Sequence, residues 1–438
     1  MTDEKKKELD QPERAITVGV LLQGEDPHDL ADDLDELESL LKTLGIETVD
    51  RVIQKRQKLS ASTLVGQGKV EEIAEIAEAK CCNMVVFDRP LSAPQIRNLE
   101  PMTKCAVLDR TGVILEIFAR HAQTNEAKTQ VEIAQLEYML PRMTGAWTHF
   151  QRQKGGVRSR GMGEKQIEVD RRRARERISR LQKHLESIGK ERKTQRKSRT
   201  NEIKVAVVGY TNSGKTTLMN GMTRANVEGE DVLFATLDSS VRMLDPSTRP
   251  RILMSDTVGF IRNLPHSLVE SFKSTLVEVL EADLLLHVVD VSHRNYRNHI
   301  ETTEKVLKEI GAEHIERIMV FNKVDQIDDP MLLKVLTAAY KGSIAMSAYA
   351  DKDVARMRKH VFKYFEDNLN EICIAIPQDD HSNLALVYKS CMILESDFET
   401  PGFARFKIRA SAPIVGKLRH FREDGDGEVS YAKHDEEE

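Results

Sequence analysis

The chain has few cysteines and no long apolar run, and both scarcities narrow what it can be. Its five cysteines, Cys81, Cys82, Cys105, Cys373 and Cys391 in 438 residues, lack the paired spacing of a zinc site, and adjacent Cys81 and Cys82 do not make a disulfide framework. A reducing, cytoplasmic location is the natural expectation. No stretch reaches the roughly eighteen apolar residues of a membrane span, and Met1 to Asp10 is charged with no apolar region behind it, which argues against a signal peptide. What remains is 40% hydrophobic and 31% charged, the balance of a globular protein long enough for two to four domains.

The net charge of −5 conceals an asymmetry. Between Gln151 and Thr200 there are 18 Lys/Arg against 6 Asp/Glu, a local +12, which leaves −17 for the rest. A chain that gathers its positive charge in one segment presents that segment to a polyanion. A solvated helix face is the blander alternative.

Residues 1–119 alternate apolar runs with amphipathic ones: Ala15 to Leu22 reads as a strand, Leu30 to Leu44 as a helix, and Asn83 to Phe87 and Cys105 to Leu108 as short central strands. This predicts an α/β N-terminal domain with a small, mainly parallel sheet. The run Val65-Gly66-Gln67-Gly68-Lys69 superficially resembles a phosphate loop, but one residue separates its glycines, and a turn opening a helix fits better. From Thr124 the pattern turns to long helices, so residues 120–200 read as an antiparallel helical hairpin belonging to the N-terminal unit. Ala127, Val131, Ala134 and Tyr138 keep helical spacing in a first arm reaching Trp147, about 33 Å at 1.5 Å per residue unless Pro141 shortens it. Ile167, Ala174, Ile178, Leu181, Leu185 and Ile188 form a heptad-like seam in the second arm. The tip between them, Gln151 to Gly163, is rich in glycine and arginine. Arg152, Lys154, Gly155, Gly156, Arg158 and Arg160, with Arg171 and Arg172 along the second arm, form the candidate RNA-binding set. Glycine allows close backbone approach, and arginine gives planar contacts to phosphates and bases.

Residues 201–368 carry the chemistry. The apolar run Ile203 to Val208 leads into Gly209-Tyr210-Thr211-Asn212-Ser213-Gly214-Lys215-Thr216, a phosphate-binding P-loop followed by a helix. Lys215 is placed to reach the β- and γ-phosphates and Thr216 to bind Mg²⁺. Phe234-Ala235-Thr236-Leu237-Asp238 lies where a first switch belongs, with Thr236 offering a hydroxyl to Mg²⁺ and an N–H to the γ-phosphate. In Asp256-Thr257-Val258-Gly259, Asp256 is suited to hold Mg²⁺ through water and Gly259 to donate its N–H to the γ-phosphate. Asn322-Lys323-Val324-Asp325 follows another strand. Asp325 can accept from N1–H and the 2-amino group of guanine, which adenine cannot supply. Ser347-Ala348-Tyr349 completes the base pocket. Lys215, Thr236 and Gly259 are therefore the candidate catalytic residues, GTP the substrate and Mg²⁺ the cofactor. The glutamine that Ras-like proteins carry after the switch glycine is missing: Phe260 stands there. An apolar ring cannot orient water, so unassisted turnover is expected to be slow and raised by a partner. Residues 369–438 read as a small α/β domain, with a strand at Glu371 to Pro377, a helix at His381 to Met392, a strand at Phe403 to Ile408 and a disordered acidic end.

Taken with Asp109-Arg110-Thr111-Gly112, Gln130 to Leu136, Gly163-Glu164, Glu168 to Arg172 and Gly259 to His266, these motifs resemble the HflX-type ribosome-associated GTPases over roughly Ala15 to Tyr364. Arg158 and Met162 depart from a glycine and a proline common in that family. The resemblance implies a P-loop GTPase domain with helices on both faces of a mainly parallel sheet. It also implies binding, as a monomer, to the large ribosomal subunit and its RNA near the peptidyl-transferase centre, and ribosome splitting or rescue under stress. Two other readings stay open on the residues alone: an ATP-dependent RNA-remodelling enzyme working through the N-terminal domain, and a non-catalytic ribosome- or RNA-binding protein stabilised by GTP.

Overall fold

A computed structural model describes residues 13–143, 164–197, 202–223, 233–234, 240–245, 248–262, 276–327 and 329–422. They fall into two compact units. The first is residues 1–189 with 231–238 and 263–274, and the second is the remainder.

In the first unit β1 (Arg14–Leu22), α1 (Pro27–Thr43), β2 (Glu47–Arg56), α2 (Gln67–Ala79), β3 (Met84–Phe87), α3 (Ala93–Thr103), β4 (Ala106–Asp109) and α4 (Arg110–His121) alternate. Their strands pair in parallel in the order β2-β1-β3-β4. The seven interior residues of β1 are all buried, as a strand covered on both faces requires. Strand β2 is unmarked in the sequence because it is an edge: only Val52 among its residues is fully buried, and its charged side chains suit an exposed border. Gly66 is the N-cap of α2, its N–H donating to Gln54 Oε1 at 2.8 Å, while Lys69 pairs with Glu72 at 2.6 Å. That run is a helix start, as its spacing predicts.

The Asp109–Gly112 run is a structural socket. The Asp109 carboxylate, fully buried, accepts from Gly112 N (3.0 Å), Tyr138 Oη (2.7 Å), Leu91 N (2.9 Å) and Arg142 (3.1 Å). A Cβ at Gly112 would stand 2.9 Å from Tyr138 Oη, so only glycine lets the phenol reach its acceptor. Beside it Arg110 pairs with Asp88 at 3.1 Å and with Glu36. Such convergence satisfies charges that burial would otherwise penalise by several kcal/mol.

Tyr138 and Arg142 belong to the hairpin's first arm, so the socket ties that arm to the sheet domain. The arm is shorter than its periodicity suggests. Helix α5 (Asn125–Met139) gives way to a 3-10 turn at Leu140–Arg142, and 15 residues span about 22 Å. Pro141 sits in that turn, and the Arg142 guanidinium folds back over the Tyr138 ring at 3.6 Å. The stretch onward to Trp147 lies outside the described residues. Helix α6 (Glu164–Lys197) forms the second arm, with Ala174 and Leu181 buried on its seam and Ile178, Leu185 and Ile188 half-buried. Arg177 grips Glu132 of α5 through two bonds of 2.8 and 3.2 Å, fixing one arm against the other.

The second unit contains β5 (Ile203–Gly209), α7 (Lys215–Thr223), β6 (Val241–Met243), β7 (Ile252–Asp256), α8 (Val277–Leu280), β8 (Leu284–Asp290), α9 (Tyr296–Glu309), β9 (Arg317–Asn322), α10 (Pro330–Ala339), β10 (Ile344–Ala345) and α11 (Asp351–Asp367). The sheet runs β10-β9-β8-β5-β7-β6, parallel except for β6. Leu218 and Met222 of α7 and Val354, Met357 and Val361 of α11 cover one face, whereas Val306 and Leu307 of α9 cover the other. The chain then forms β11 (Asn370–Pro377), α12 (His381–Ser390), β12 (Met392–Asp397), β13 (Phe403–Ala410) and α13 (Ala412–Leu418), with the strands antiparallel in the order β11-β13-β12. Met392 opens a strand rather than ending the helix. The side chains from Leu394 to Asp397 are exposed, so β12 lacks the apolar alternation that reveals a strand.

One polar ring interrupts the core of the second unit. His287 on β8 is fully buried, and neither ring nitrogen finds a hydrogen-bond partner among the described residues. Burial, reinforced by the positive charges of Arg317 and Lys215, holds its pKa down at about 3. An unfolded histidine titrates near ~6.5, so below that pH the unfolded chain binds a proton that the fold refuses. The stability contributed by the neutral ring is present above pH ~6.5 and is lost as pH falls toward the folded value. Replacing His287 by Leu is therefore expected to flatten the pH dependence of stability between about pH 6.5 and 4.5 by up to ~1.4 kcal/mol per unit, measured from urea transitions at stepped pH.

Candidate functional site

The site grows from the carboxyl end of β5. Two glycines make its loop possible. A Cβ at Gly209 would stand 2.2 Å from the Val288 carbonyl oxygen, and one at Gly214, at φ +91°, would stand 2.2 Å from Asn322 Nδ2. Asn212 takes a left-handed conformation between them, at φ 57°, which asparagine tolerates better than most residues. Lys215 opens α7 and is buried, its Nζ donating to the Tyr210 carbonyl at 2.7 Å. Burial pulls its pKa to about 8, partly offset by the Asp256 carboxylate. Thr216 Oγ1 donates to Asp256 Oδ2 at 2.7 Å, which sets a hydroxyl and a carboxylate side by side at the mouth of the loop.

Asp256 ends β7 and is buried. Thr257 next to it donates its hydroxyl to the Val207 carbonyl at 2.7 Å, pinning the chain beside the P-loop strand. Val258 is buried and Gly259 follows. Phe260 is 3% exposed and packs with Ala206, Val208, Leu276, Val279 and Leu285, so its ring is a core residue and presents no group to water.

The base-recognition loops are joined to the P-loop by a single amide. Asn322 Nδ2 donates to the Ser213 carbonyl at 2.8 Å, and its Oδ1 accepts the Ala348 N–H at 2.9 Å. Lys323 sits at φ 61° with its ammonium 2.7 Å from Asp290. Asp325 is exposed on the 3-10 turn Val324–Gln326. Ser347 N–H donates to Asp353 at 3.0 Å, Ala348 is buried, and Tyr349 is 75% exposed. The fold thus brings Gly209 to Thr216, Asp256 to Gly259, Asn322 to Asp325 and Ser347 to Tyr349 to one end of one sheet. Asp290 and Asp353 complete the arrangement and were not marked by any sequence pattern. The register that aligns Asp290 with Asn322 on neighbouring strands exists only in the folded sheet.

Phe234 belongs to the first unit. It is buried at φ 59°, its ring 4.7 Å edge-on to Phe118 of α4. Ala235, Thr236, Leu237 and Asp238 lie outside the described residues, as do Arg152, Lys154, Gly155, Gly156, Arg158 and Arg160. Arg171 and Arg172 lie on α6. The Arg172 side chain is 70% exposed, with Glu176 at 3.9 Å.

A P-loop opening a helix, a carboxylate beside its threonine, and an Asn-Lys-x-Asp turn at the same end of a mostly parallel sheet define a P-loop GTPase. Three family profiles match in sequence order: "GTP-binding GTPase N-terminal" over residues 31–119, "GTP-binding GTPase Middle Region" over 121–199 and "50S ribosome-binding GTPase" over 204–323. GTPase HflX of Gluconacetobacter diazotrophicus is 39% identical over 92% of this chain and 97% of its own. GTPase HflX of Alkalihalophilus pseudofirmus is 41% identical over 91% and 93%, and that of Escherichia coli 46% identical over 68% and 70%. A crystal structure of a GTP-binding protein from the archaeon Sulfolobus solfataricus in complex with GDP matches 80% of this chain and 98% of its own at 23% identity and a TM-score of 0.43. The chain belongs to the HflX family of GTPases.

Replacing Asn322 by Ala leaves the Ser213 carbonyl and the Ala348 amide without their bonds and uncouples the loops. With about 1 kcal/mol per bond, GDP and GTP are both expected to bind roughly 30-fold more weakly, read by titration with fluorescent nucleotide.

Proposed function

We propose that this GTPase is a GTP-driven switch that uses its basic helical hairpin to engage RNA of the large ribosomal subunit and lets go after hydrolysis. The observation that carries this reading is the coexistence, in one acidic chain, of a guanine-nucleotide site with a 50-residue segment of net charge +12. Its second arm, α6, carries Arg172 and Arg173 with side chains 70% and 72% exposed. Exposed arginine on a rigid helix suits phosphate, and the profile matching the nucleotide-binding region is described as a 50S ribosome-binding GTPase. Ribosome splitting or rescue near the peptidyl-transferase centre, under stress and in the cytoplasm, is the role that follows, with the chain acting as a monomer.

Within the site, Lys215 holds its ammonium against the β- and γ-phosphates, where their charge favours the protonated form that burial disfavours. Asp325 selects guanine by accepting two hydrogen bonds, and Asn322 keeps the base loop aligned with the phosphate loop. Thr216 and Asp256, hard oxygen donors already in mutual contact, fit Mg²⁺, with Thr236 completing the set. When bound, the ion neutralises charge on the phosphate oxygens. Thr236 and Gly259 contribute N–H groups to the γ-phosphate as charge develops there. Phe260 leaves the attacking water without an orienting side chain at the usual position, so turnover is slow until the ribosome supplies order.

Added large subunits are expected to raise GTP turnover at least tenfold, and GTP-bound protein to co-sediment with them. Deleting Gly155 to Gly163 is expected to abolish both while leaving nucleotide affinity intact. Flat turnover across low and moderate salt would refute the reading, and retained co-sedimentation would move the anchor away from the tip.

A further inference from the structure

The small antiparallel sheet near the end of the chain leaves one border open. Its order is β11-β13-β12, and among the described residues no strand pairs with the outer side of β12. Such a border is a row of main-chain donors and acceptors that another extended chain can join. The side chains of β12 divide between two faces. Ile393 lies opposite Ile408 and Ser396 opposite Phe406, on the face packed against α12 and α13, whereas Glu395 and Asp397 lie opposite Lys407 and Arg405 on the other.

Two aromatic rings flank this border. Tyr388 of α12 and Phe398, just past β12, both meet the buried Phe406 ring edge-on, at 5.8 and 5.6 Å between centroids, yet each is 51% exposed. Leu394 on β12 adds a third bare apolar side chain, 37% exposed. Large rings anchored by a buried neighbour and left half in water are a docking face. Charge decides what docks there. Residues 392–400 contain Glu395, Asp397 and Glu399 and neither lysine nor arginine. Lys407 lies nearer to Glu371 of β11, at 3.3 Å, than to Glu395, at 3.8 Å, and the Glu395 side chain is 75% exposed. Asp397 accepts from the Glu399 N–H at 2.8 Å and the Thr400 hydroxyl at 3.2 Å, neutral donors that leave its charge in place. Carboxylates alone guard an edge against strands of like charge, a second copy of β12 among them, but that task needs no exposed rings. Lysine and arginine answer both features, since their cations pair with carboxylates and lie on aromatic faces. RNA, a polyanion, is repelled.

We propose that the β12 border is a docking site for a cationic extended segment of a partner protein, which joins the sheet antiparallel to β12. Alternate side chains of that segment divide between the faces: lysine or arginine meets Glu395 and Asp397 on one, and apolar groups meet Tyr388 and Phe398 on the other. Antiparallel pairing continues the pattern of the sheet and is the more stable per residue. Nucleotide chemistry plays no part in it.

The test follows the anisotropy of a fluorescein-labelled peptide of alternating lysine and valine as full-length protein is added, beside a glutamate–valine counterpart. The lysine peptide is expected to bind at least about tenfold more tightly. Methylating its main-chain nitrogens at every odd position, or at every even one, removes the donors along one side of the strand at a time. One set is expected to abolish binding and the other to leave it within about threefold, because only one side faces β12. Phe398→Ala is expected to weaken the lysine peptide roughly tenfold. Glu395→Lys combined with Glu399→Lys is expected to reverse the preference, so that the glutamate peptide binds the more tightly. Thermal unfolding and GDP affinity, both expected to match wild type, report that each variant is folded. Equal binding of the two methylated peptides, unchanged binding to Phe398→Ala, or an unreversed preference in the folded charge variant overturns the proposal. Self-association of the wild type that the charge variant loses overturns it as well and assigns the border to a second copy of the chain.

Discussion

Asn322 bonds the Ser213 carbonyl at one end of its amide and the Ala348 N–H at the other, and that two-ended bond is what lets three separate loops act as one pocket. A phosphate loop has to aim its main-chain N–H groups at the ligand, so its carbonyls point elsewhere and need partners of their own. Ser213 finds its partner in the base-recognition turn. The same amide therefore ties that turn to the loop after β5 and to the segment at Ala348. Gly214 makes the contact possible, because a side chain there would collide with the same asparagine.

The same logic recurs in the first unit. Asp109 collects four donors from β4's own helix start, from the loop before α3 and from the hairpin's first arm. A buried carboxylate with four satisfied donors defines orientation in a way that apolar packing does not, since each bond has a direction as well as a length. The arm carrying Tyr138 and Arg142 is thereby fixed to the sheet, and Arg177 on Glu132 carries the alignment to the arginine-bearing helix. The described parts of the two arms are thereby held in a fixed orientation to each other and to the sheet of the first unit.

Phe260 and Lys215 show how burial sets chemistry in the second unit. The phenylalanine occupies a position where a polar side chain would serve hydrolysis, and it is instead part of the core. The lysine is buried, which disfavours its charge, and the neighbouring Asp256 carboxylate offsets part of that cost. His287, buried without hydrogen-bond partners among the described residues, adds a pH-sensitive element to the same core.

The order of short motifs was sufficient, read as sequence, to place the phosphate loop, the base turn and the central strands. Those features depend on residue types at fixed local spacing: glycines where a Cβ would collide, apolar runs on covered strands, an Asn-Lys-x-Asp turn. Edge strands β2 and β12 escaped such reading because exposed faces carry no apolar period. The first arm's length escaped it because a helical period continued past Pro141, where Arg142 turns back to reach Asp109. Asp290 beneath Lys323, Phe118 against Phe234 and the Tyr210 stack on His299 join residues tens to more than a hundred positions apart, and Asp353 reaches Ser347 only because its helix turns back over the loop before it. Local spacing names the groups that can do chemistry. Which of them touch is decided by packing between distant segments, because a hydrogen bond such as Asn322 to Ser213 needs the folded sheet to bring its partners together.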